Sequence, residues 1–136
     1  MDPEETAQRS ATAMFDADVA SRSLGIEIGS IAPGRATVRM RVTDEMVNGH
    51  DLCHGGYVFL VADTAFALAC NTYGVTTVAA GAEIVFITPA RRGDELVAEA
   101  TERVRYRRSG IYDISVSRTD GEPIAEFRGR SRSLDS

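Results

Sequence analysis

The stretch from Gly55 to about Tyr73 constrains the fold more than any other part of this chain. It reads GGYVFLVADTAFALACNTY, with no Pro and no Gly after the first two residues. The run is too long for an ordinary strand and is apolar almost all round, so it predicts a central, buried helix. Such a helix must be covered, and a curved antiparallel sheet closing around it would achieve this.

The flanking segments predict the strands of that sheet. Residues 4–22 show a weak helical pattern, with Ala13, Met14 and Ala17 able to share a stripe, and predict a short N-terminal helix. Strong alternation of apolar and polar residues, together with turn sequences such as TDGEP, predicts six strands in the remainder of the chain. The predicted strands are 24–31, 36–42, 76–88, 94–107, 111–119 and 123–133. The predicted fold class is therefore α+β, in one domain spanning residues 1–136.

Composition narrows the class of protein. A formal net charge of -5 argues against a nucleic-acid partner, because nonspecific binding to phosphate backbones comes mainly from positive surfaces. The longest apolar run is far shorter than the roughly 20 residues that span a bilayer. The N-terminus lacks the basic-then-apolar layout of a signal peptide. We expect a cytoplasmic protein with no membrane partner and with two reduced thiols, Cys53 and Cys70.

Asp63 is the one acid inside the apolar run. An unpaired buried carboxylate costs several kcal/mol, so it has a partner, faces a cavity or has a raised pKa. A lone acid in a helix usually lies on a solvated face, which this helix does not offer. Both a structural and a catalytic role stay open at this point.

The sequence HGG at residues 54–56 marks the predicted start of the helix. The first amides of a helix have no partner within it, and the helix dipole is positive there. The Gly55 N–H could therefore hold a developing oxyanion. The alternative is that HGG is merely a flexible turn.

Helix geometry separates these two candidate groups. Gly55 and Asp63 are eight residues apart, which is about 12 Å along one helix axis at about 1.5 Å per residue. One helix cannot bring both to the same carbonyl. A shared catalytic role therefore predicts a homodimer in which a second, antiparallel helix supplies the missing group.

Two other kinds of site receive little support. The chain has two His and two Cys, too few to build a zinc site beyond His50, Cys53 and His54, so no metal is expected. A Cys53 nucleophile activated by His54 fails because neighbouring residues rarely face one another. For His54 itself, a role in fixing the loop is favoured over general-base catalysis.

Arginines are concentrated in two turns of the second half of the chain. Arg91 and Arg92 lie in PARRGD, and Arg108, Ser109 and Gly110 lie in RYRRSG. Charged turns are usually only solvated. The alternative is that these residues hold the phosphates of a ligand tail, with the Ser109 and Gly110 amides forming a small anion nest.

The runs NGHDLCHGGYVFLVADTAFALACN, FITPARRGDEL and FRGRS resemble the hotdog-fold acyl-CoA thioesterases, most closely the PaaI type of phenylacetate degradation. The resemblance implies that Asp63 is the catalytic carboxylate and that the Gly55 N–H polarises the thioester carbonyl. It implies that Asn48 helps to orient the carbonyl or the water and that His54 positions the loop. It also implies a site at a dimer interface, with dimers commonly paired into a homotetramer.

The resemblance implies hydrolysis of an aromatic acyl-CoA, such as phenylacetyl-CoA or hydroxyphenylacetyl-CoA, with no cofactor. Asp63 would attack the carbonyl or activate a water. Some relatives carry a hydroxyl one turn after the acid; Ala67 stands there, and Thr64 is the nearest hydroxyl. Tyr57, Val58 and Phe59 could line the acyl pocket or simply pack the core. The alternatives are a hotdog enoyl-CoA hydratase or dehydratase and a noncatalytic acyl-CoA sensor.

Overall fold

The computed structural model describes residues 1–134, which form three α-helices, one short 3-10 helix and a six-stranded sheet. The helices are α1 (Pro3–Asp16), α2 (Val19–Ser23) and α3 (Gly55–Cys70), with the 3-10 helix at Asp44–Met46. The strands are β1 (Glu27–Ala32), β2 (Arg35–Arg41), β3 (Thr77–Phe86), β4 (Glu95–Tyr106), β5 (Ser109–Arg118) and β6 (Pro123–Ser133).

The sheet is antiparallel throughout and has the strand order β1-β2-β4-β5-β6-β3. Helix α3 packs against the five strands β2, β3, β4, β5 and β6. The sheet therefore surrounds the helix on several sides. The α+β prediction, with an antiparallel sheet around a long central helix, is confirmed.

The core lies between α3 and the inner face of the sheet. On β2, Val38 and Met40 point inward and are buried, as the alternation predicts, while Arg39 and Arg41 are exposed. The Phe66 ring of α3 lies so close to β6 that a Cβ at Gly129 would come within 2.7 Å of it. Glycine is required there because the helix meets the backbone of the strand directly.

The N-terminal segment differs from its prediction. It forms two helices rather than one, because the Asp18 side chain caps a second helix by accepting a hydrogen bond from the Ser21 amide. The predicted stripe is also wrong at its first residue. Ala13 is exposed, whereas Ala7 and Ala11 are the residues buried against the core.

Helix α3 ends at Cys70, before the predicted Tyr73. The Asn71 side chain stops it, since its Nδ2 donates to the Ala67 and Thr77 carbonyls and its Oδ1 accepts from the Thr77 amide. The prediction of a helix buried all round is also wrong. One stripe is left only partly covered: Phe59, Leu60, Asp63 and Ala67. Among the described helices, none is both long and apolar enough to cross a membrane.

Candidate active site

The start of α3 leaves one backbone amide unused. His54 caps the helix: its Nδ1 accepts from the Gly56 N–H at 2.9 Å, and its carbonyl accepts from the Tyr57 N–H at 2.9 Å. The His54 amide in turn donates to the Met46 carbonyl. Within residues 1–134 the Gly55 N–H has no acceptor. This is the amide that the sequence singled out, at the positive end of the helix dipole.

Asn48 lies in the loop before α3 and is held by that loop. Its Oδ1 accepts from the His50 amide at 2.8 Å and from the Leu52 amide at 3.2 Å. The Asn48 Nδ2 has no acceptor in the described part of the chain. The loop thus fixes the oxygen of the side chain and leaves its two N–H donors available.

A cavity of about 320 Å³ joins Asn48 and Gly55. Its walls are mainly apolar and include Val58, Phe86 and Ile124. A Cβ on residue 55 would lie 3.0 Å from the Phe86 ring, so glycine keeps this space open. An apolar cavity with two N–H groups on its wall suits an apolar group that carries a carbonyl.

Asp63 lies elsewhere, in the middle of α3 on its partly covered stripe. Its carboxylate has no hydrogen bond or ion pair within residues 1–134. Burial raises its pKa above the usual value of 3.8, and the nearby charge of Asp18 adds to the rise. Because α3 is one continuous helix, the separation of about 12 Å from Gly55 holds. One chain does not bring the two groups together.

Of the residues predicted to bind substrate, Thr64 lies inside the protein and Tyr57 lies outside the cavity beside Gly55. Thr64 is buried, and its hydroxyl contacts the Ser21 hydroxyl at 2.8 Å and the Leu60 carbonyl at 2.9 Å. The Tyr57 ring lies edge-on to the His54 ring, outside the cavity that Val58 lines. Phe59 packs on Phe127 in the core. Substrate contacts by Thr64 and Tyr57 stay predictions.

A second, larger cleft of about 730 Å³ lies at the C-terminal end of α3. We call it the arginine cleft, after the four residues Arg105, Arg107, Arg108 and Arg132 that line it. Hydroxyl groups of Ser109, Ser131 and Ser133 also line it. Several guanidinium groups around one cleft form a site suited to phosphate groups.

The arginines of this cleft are largely free of carboxylate partners. In the described part of the chain, Arg107, Arg108 and Arg132 form no ion pair. Arg105 stacks over the Tyr73 ring at 3.6 Å and lies 3.5 Å from the Glu102 carboxylate. The positive charge of Arg107, Arg108 and Arg132 is therefore available to an anion.

The structure divides the predicted phosphate-binding set. Arg108 and Ser109 line the arginine cleft, whereas Arg91 and Arg92 do not. Arg92 instead bridges Asp44 and Asp51, and so clamps the loop before α3. Gly110 is buried under Ser131, whose Oγ would lie 2.7 Å from a Cβ at that position. Glycine is needed there for packing, and an anion-binding role for its amide stays a prediction.

Arg132 was missed by the sequence reasoning. It stands on β6 directly opposite Ser109 of β5, so strand pairing brings it to the RYRRSG turn. The TDGEP hairpin predicts that these strands pair antiparallel, but counting outward from the turn pairs Ser109 with Ser131. A register shift between Val116 and Ser117 moves the pairing by one residue, to Arg132.

The two thiols do not offer a nucleophile. Burial, with a smaller effect of Asp94, raises the pKa of Cys53 to about 11. Burial likewise raises the pKa of Cys70 to about 12. Both thiols are protonated at neutral pH, and a protonated thiol is a poor nucleophile. No group of three or more His, Cys, Asp or Glu suited to a metal occurs within residues 1–134.

Comparisons with known proteins identify the family of this chain. Residues 50–125 match the family model of the thioesterase superfamily. The chain is 43% identical to acyl-coenzyme A thioesterase PaaI of Escherichia coli K12, over 94% of this chain and 91% of the relative. The residues matched by the family model include α3 and the end of the loop that precedes it.

Two solved structures show the same fold. The E. coli PaaI protein from the phenylacetic acid degradation operon superposes with a TM-score of 0.96 at 41% identity, over 99% of this chain and 98% of that chain. A variant of the phenylacetic acid degradation protein PaaI from Thermus thermophilus has a TM-score of 0.83 at 33% identity, over 86% and 100%. The chain therefore belongs to the thioesterase superfamily, has the hotdog fold, and is a thioester hydrolase homologous to PaaI.

Proposed function

We propose that this protein hydrolyses an aromatic acyl-CoA, such as phenylacetyl-CoA or hydroxyphenylacetyl-CoA, to the free acid and CoA. One observation carries the proposal: the single helix α3 presents an unpaired amide at Gly55 and an unpaired carboxylate at Asp63. The E. coli relative is named as an acyl-coenzyme A thioesterase, and the matching structure is from a phenylacetic acid degradation operon.

The two cavities suit the two ends of such a substrate. The apolar cavity beside Gly55 has Val58 and Phe86 in its walls and can take the aromatic ring of the acyl group. The thioester carbonyl oxygen would then meet the Gly55 N–H. The arginine cleft can take the phosphates of CoA through charge-assisted hydrogen bonds. An apolar acid joined to a polyanion is the substrate class that fits both.

A complete site requires a second copy of the chain. Strand β3 stands at one edge of the sheet with its outer side unpaired. Val85 and Phe86, which are 64% and 54% exposed, add apolar surface there. A long apolar edge strand needs a cover. Pairing of β3 with its copy across a two-fold axis would set the two α3 helices antiparallel.

In that arrangement Asp63 of one copy works with Gly55 and Asn48 of the other. The Gly55 N–H binds the carbonyl oxygen as it becomes negative, and the Asn48 amide orients the carbonyl or the water. Asp63 either attacks the carbonyl carbon, expelling the CoA thiolate and leaving an anhydride that water hydrolyses, or removes a proton from an attacking water. Neither route needs a metal or a cofactor. We propose a cytoplasmic homodimer as the smallest active unit, pairing into a homotetramer.

Release of free thiol from a panel of acyl-CoA esters tests the reaction and the acyl group together. We expect the highest kcat/KM with phenylacetyl-CoA and its ring-hydroxylated form. A clear preference for medium or long aliphatic chains would contradict the aromatic assignment. Binding of CoA esters without thiol release would instead identify a sensor, and hydration of an enoyl-CoA in a coupled assay would identify a hydratase.

Subunit mixing tests whether two copies share each site. Asp63→Asn and Gly55→Pro proteins, each nearly inactive alone, are mixed under conditions that allow subunit exchange. Half of the random dimers then contain both variants and have one intact site, so activity returns to about one quarter of the wild-type value. If a single chain supplied both groups, mixing would restore nothing. Wild-type protein mixed with Asp63→Asn protein is the control for exchange.

A further inference from the structure

A chain of buried hydroxyl groups connects α2 to the residue beside Asp63. Asp18 caps α2: its Oδ1 accepts from the Ser21 amide at 2.9 Å, and its Oδ2 lies 2.6 Å from the Ser21 Oγ. The Ser21 Oγ lies 2.8 Å from the Thr64 Oγ1. Ser21 and Thr64 are only 2% and 6% exposed. This Asp18–Ser21–Thr64 chain therefore attaches α2 to α3 inside the protein.

The hydrogen atoms of this chain fix its direction. An ionised carboxylate only accepts, so the Ser21 hydroxyl donates to Asp18. The Thr64 hydroxyl can then donate to the Ser21 Oγ, or to the Leu60 carbonyl at 2.9 Å. The Ser21 amide and the Ser21 hydroxyl thus both hold the Asp18 carboxylate, and the hydroxyl also contacts Thr64 of α3. Its position is set by buried contacts rather than by solvent.

The hydrogen bonds through Ser21 bring Asp18 to Thr64, the residue next to Asp63 in α3. Burial is the larger cause of the raised pKa of Asp63, and the charge of Asp18 is the second. Within residues 1–134, no other charged group on the elements packed against α3 contributes to this rise. Cys70, further along α3, senses Asp63 but is itself neutral because burial raises its pKa to about 12.

We propose that Asp18 is a positioning residue for the reaction at Asp63: the Asp18–Ser21–Thr64 chain fixes a second negative charge beside the reacting carboxylate. The proposal rests on the function proposed above, in which Asp63 reacts. Two nearby carboxylates resist double ionisation, so Asp63 stays a stronger base than burial alone would make it. Both possible roles of Asp63 require its ionised form, and the acid limb of the pH profile reports that ionisation.

The variant Asp18→Asn tests the proposal because asparagine is also a good helix cap and keeps an oxygen acceptor for the Ser21 amide. The acid limb of kcat/KM should shift to lower pH. At the pH where wild-type protein keeps half of its maximal kcat/KM, the variant should keep more than half of its own maximum. Asp16→Asn, two residues earlier and exposed, is the matched control and should leave the limb in place. An unmoved limb in Asp18→Asn would overturn the proposal.

A carbon-13 NMR titration of the Asp63 carboxyl gives a readout that does not require turnover. The signal is assigned by its loss in Asp63→Asn, and it should titrate at lower pH in Asp18→Asn than in wild-type protein. An identical titration in both proteins would refute the role of Asp18. If wild-type protein released no thiol but the titration still shifted, the proposed function would fail while the coupling of the two carboxylates stood.

Discussion

The two ends of α3 are built from different chemistry. At its N-terminal end, a backbone amide and the Asn48 side chain face a mainly apolar cavity of about 320 Å³. At its C-terminal end, four arginines and several hydroxyls surround a cleft of about 730 Å³. Neither end holds the carboxylate, because Asp63 stands between them on the partly covered stripe.

This contrast is the reason for proposing that two chains share each site. One end can polarise a carbonyl and the other can hold a polyanion, but they lie at opposite ends of a helix of 16 residues, which is about 24 Å long. An antiparallel copy would place the amide end of one helix beside the arginine end of the other. Substitutions at the centre and at each end of α3 test this division of labour, and the most damaging comes first.

Removal of the central carboxylate should reduce turnover the most. Asp63→Asn is expected to lower kcat by about 10²- to 10⁴-fold, since neither a nucleophile nor a general base is left. Stopped-flow thiol release measures the rate, and circular dichroism checks that the fold is kept. Asp16→Asn, an exposed acid on α1, controls for loss of charge alone. Wild-type turnover in Asp63→Asn would exclude Asp63 as the reacting group.

The amide end can be tested by deleting one N–H. Gly55→Pro removes the amide hydrogen at the first helical position, where proline fits and where the extended His54 backbone (φ -60, ψ 132) accepts a following proline. Loss of one oxyanion donor should lower kcat by about 10²- to 10³-fold. Gly55→Ala adds bulk near Phe86 but keeps the N–H, so it is the matched control. Equal losses in both variants would assign the effect to bulk.

The arginine end should act on binding rather than on chemistry. Arg132→Gln removes one charge-assisted contact, worth about 1.5 kcal/mol, and should raise KM for phenylacetyl-CoA about tenfold with little change in kcat. Phenylacetyl-pantetheine, which lacks the nucleotide phosphates, should not respond. Arg91→Gln, outside the cleft, is the control. A fall in kcat with KM unchanged would contradict this assignment.

The mildest change concerns stability at neutral pH. The pKa of Asp63 is raised in the folded protein, so the folded state binds this proton more tightly than the unfolded chain does. The contribution of Asp63 to the free energy of unfolding is fully present below pH 3.8 and is lost as pH rises through the raised pKa. Asp63→Asn should therefore have a slightly higher Tm than wild-type protein at pH 7, and no higher Tm at pH 3. A lower Tm at pH 7 would show that Asp63 has a stabilising partner in the assembly.

Much of this architecture was accessible from the order of residue types. Alternation in ATVRMRV predicts the buried face of β2, and the uninterrupted apolar run predicts α3. Helix rise alone separates Gly55 from Asp63 by about 12 Å along α3. These inferences succeed because they depend on local periodicity and on the fixed dimensions of a helix.

Other features depend on contacts between distant segments. Asp18 caps a second N-terminal helix, and the Ser21 hydroxyl of that helix contacts the Thr64 hydroxyl, 43 residues away. A hydroxyl that was predicted to bind substrate is therefore occupied inside the core. Strand pairing adds Arg132 to the arginine cleft, and the clamp on Asp44 and Asp51 holds Arg92 elsewhere. No local pattern specifies which hydroxyl or guanidinium finds which partner.

The sequence by itself determined the central helix, its strand cover and the positions of Gly55 and Asp63, the two groups that we propose to take part in the reaction. Tertiary structure decided which of the available donors stay free. His54 accepts hydrogen bonds from the Gly56 and Tyr57 amides, so the Gly55 amide stays free. The loop around Asn48 donates to the Asn48 side-chain oxygen, so the side-chain N–H groups of Asn48 stay free. The physical reason is that periodicity sets where a backbone runs, whereas only packing decides whether a polar group is already satisfied.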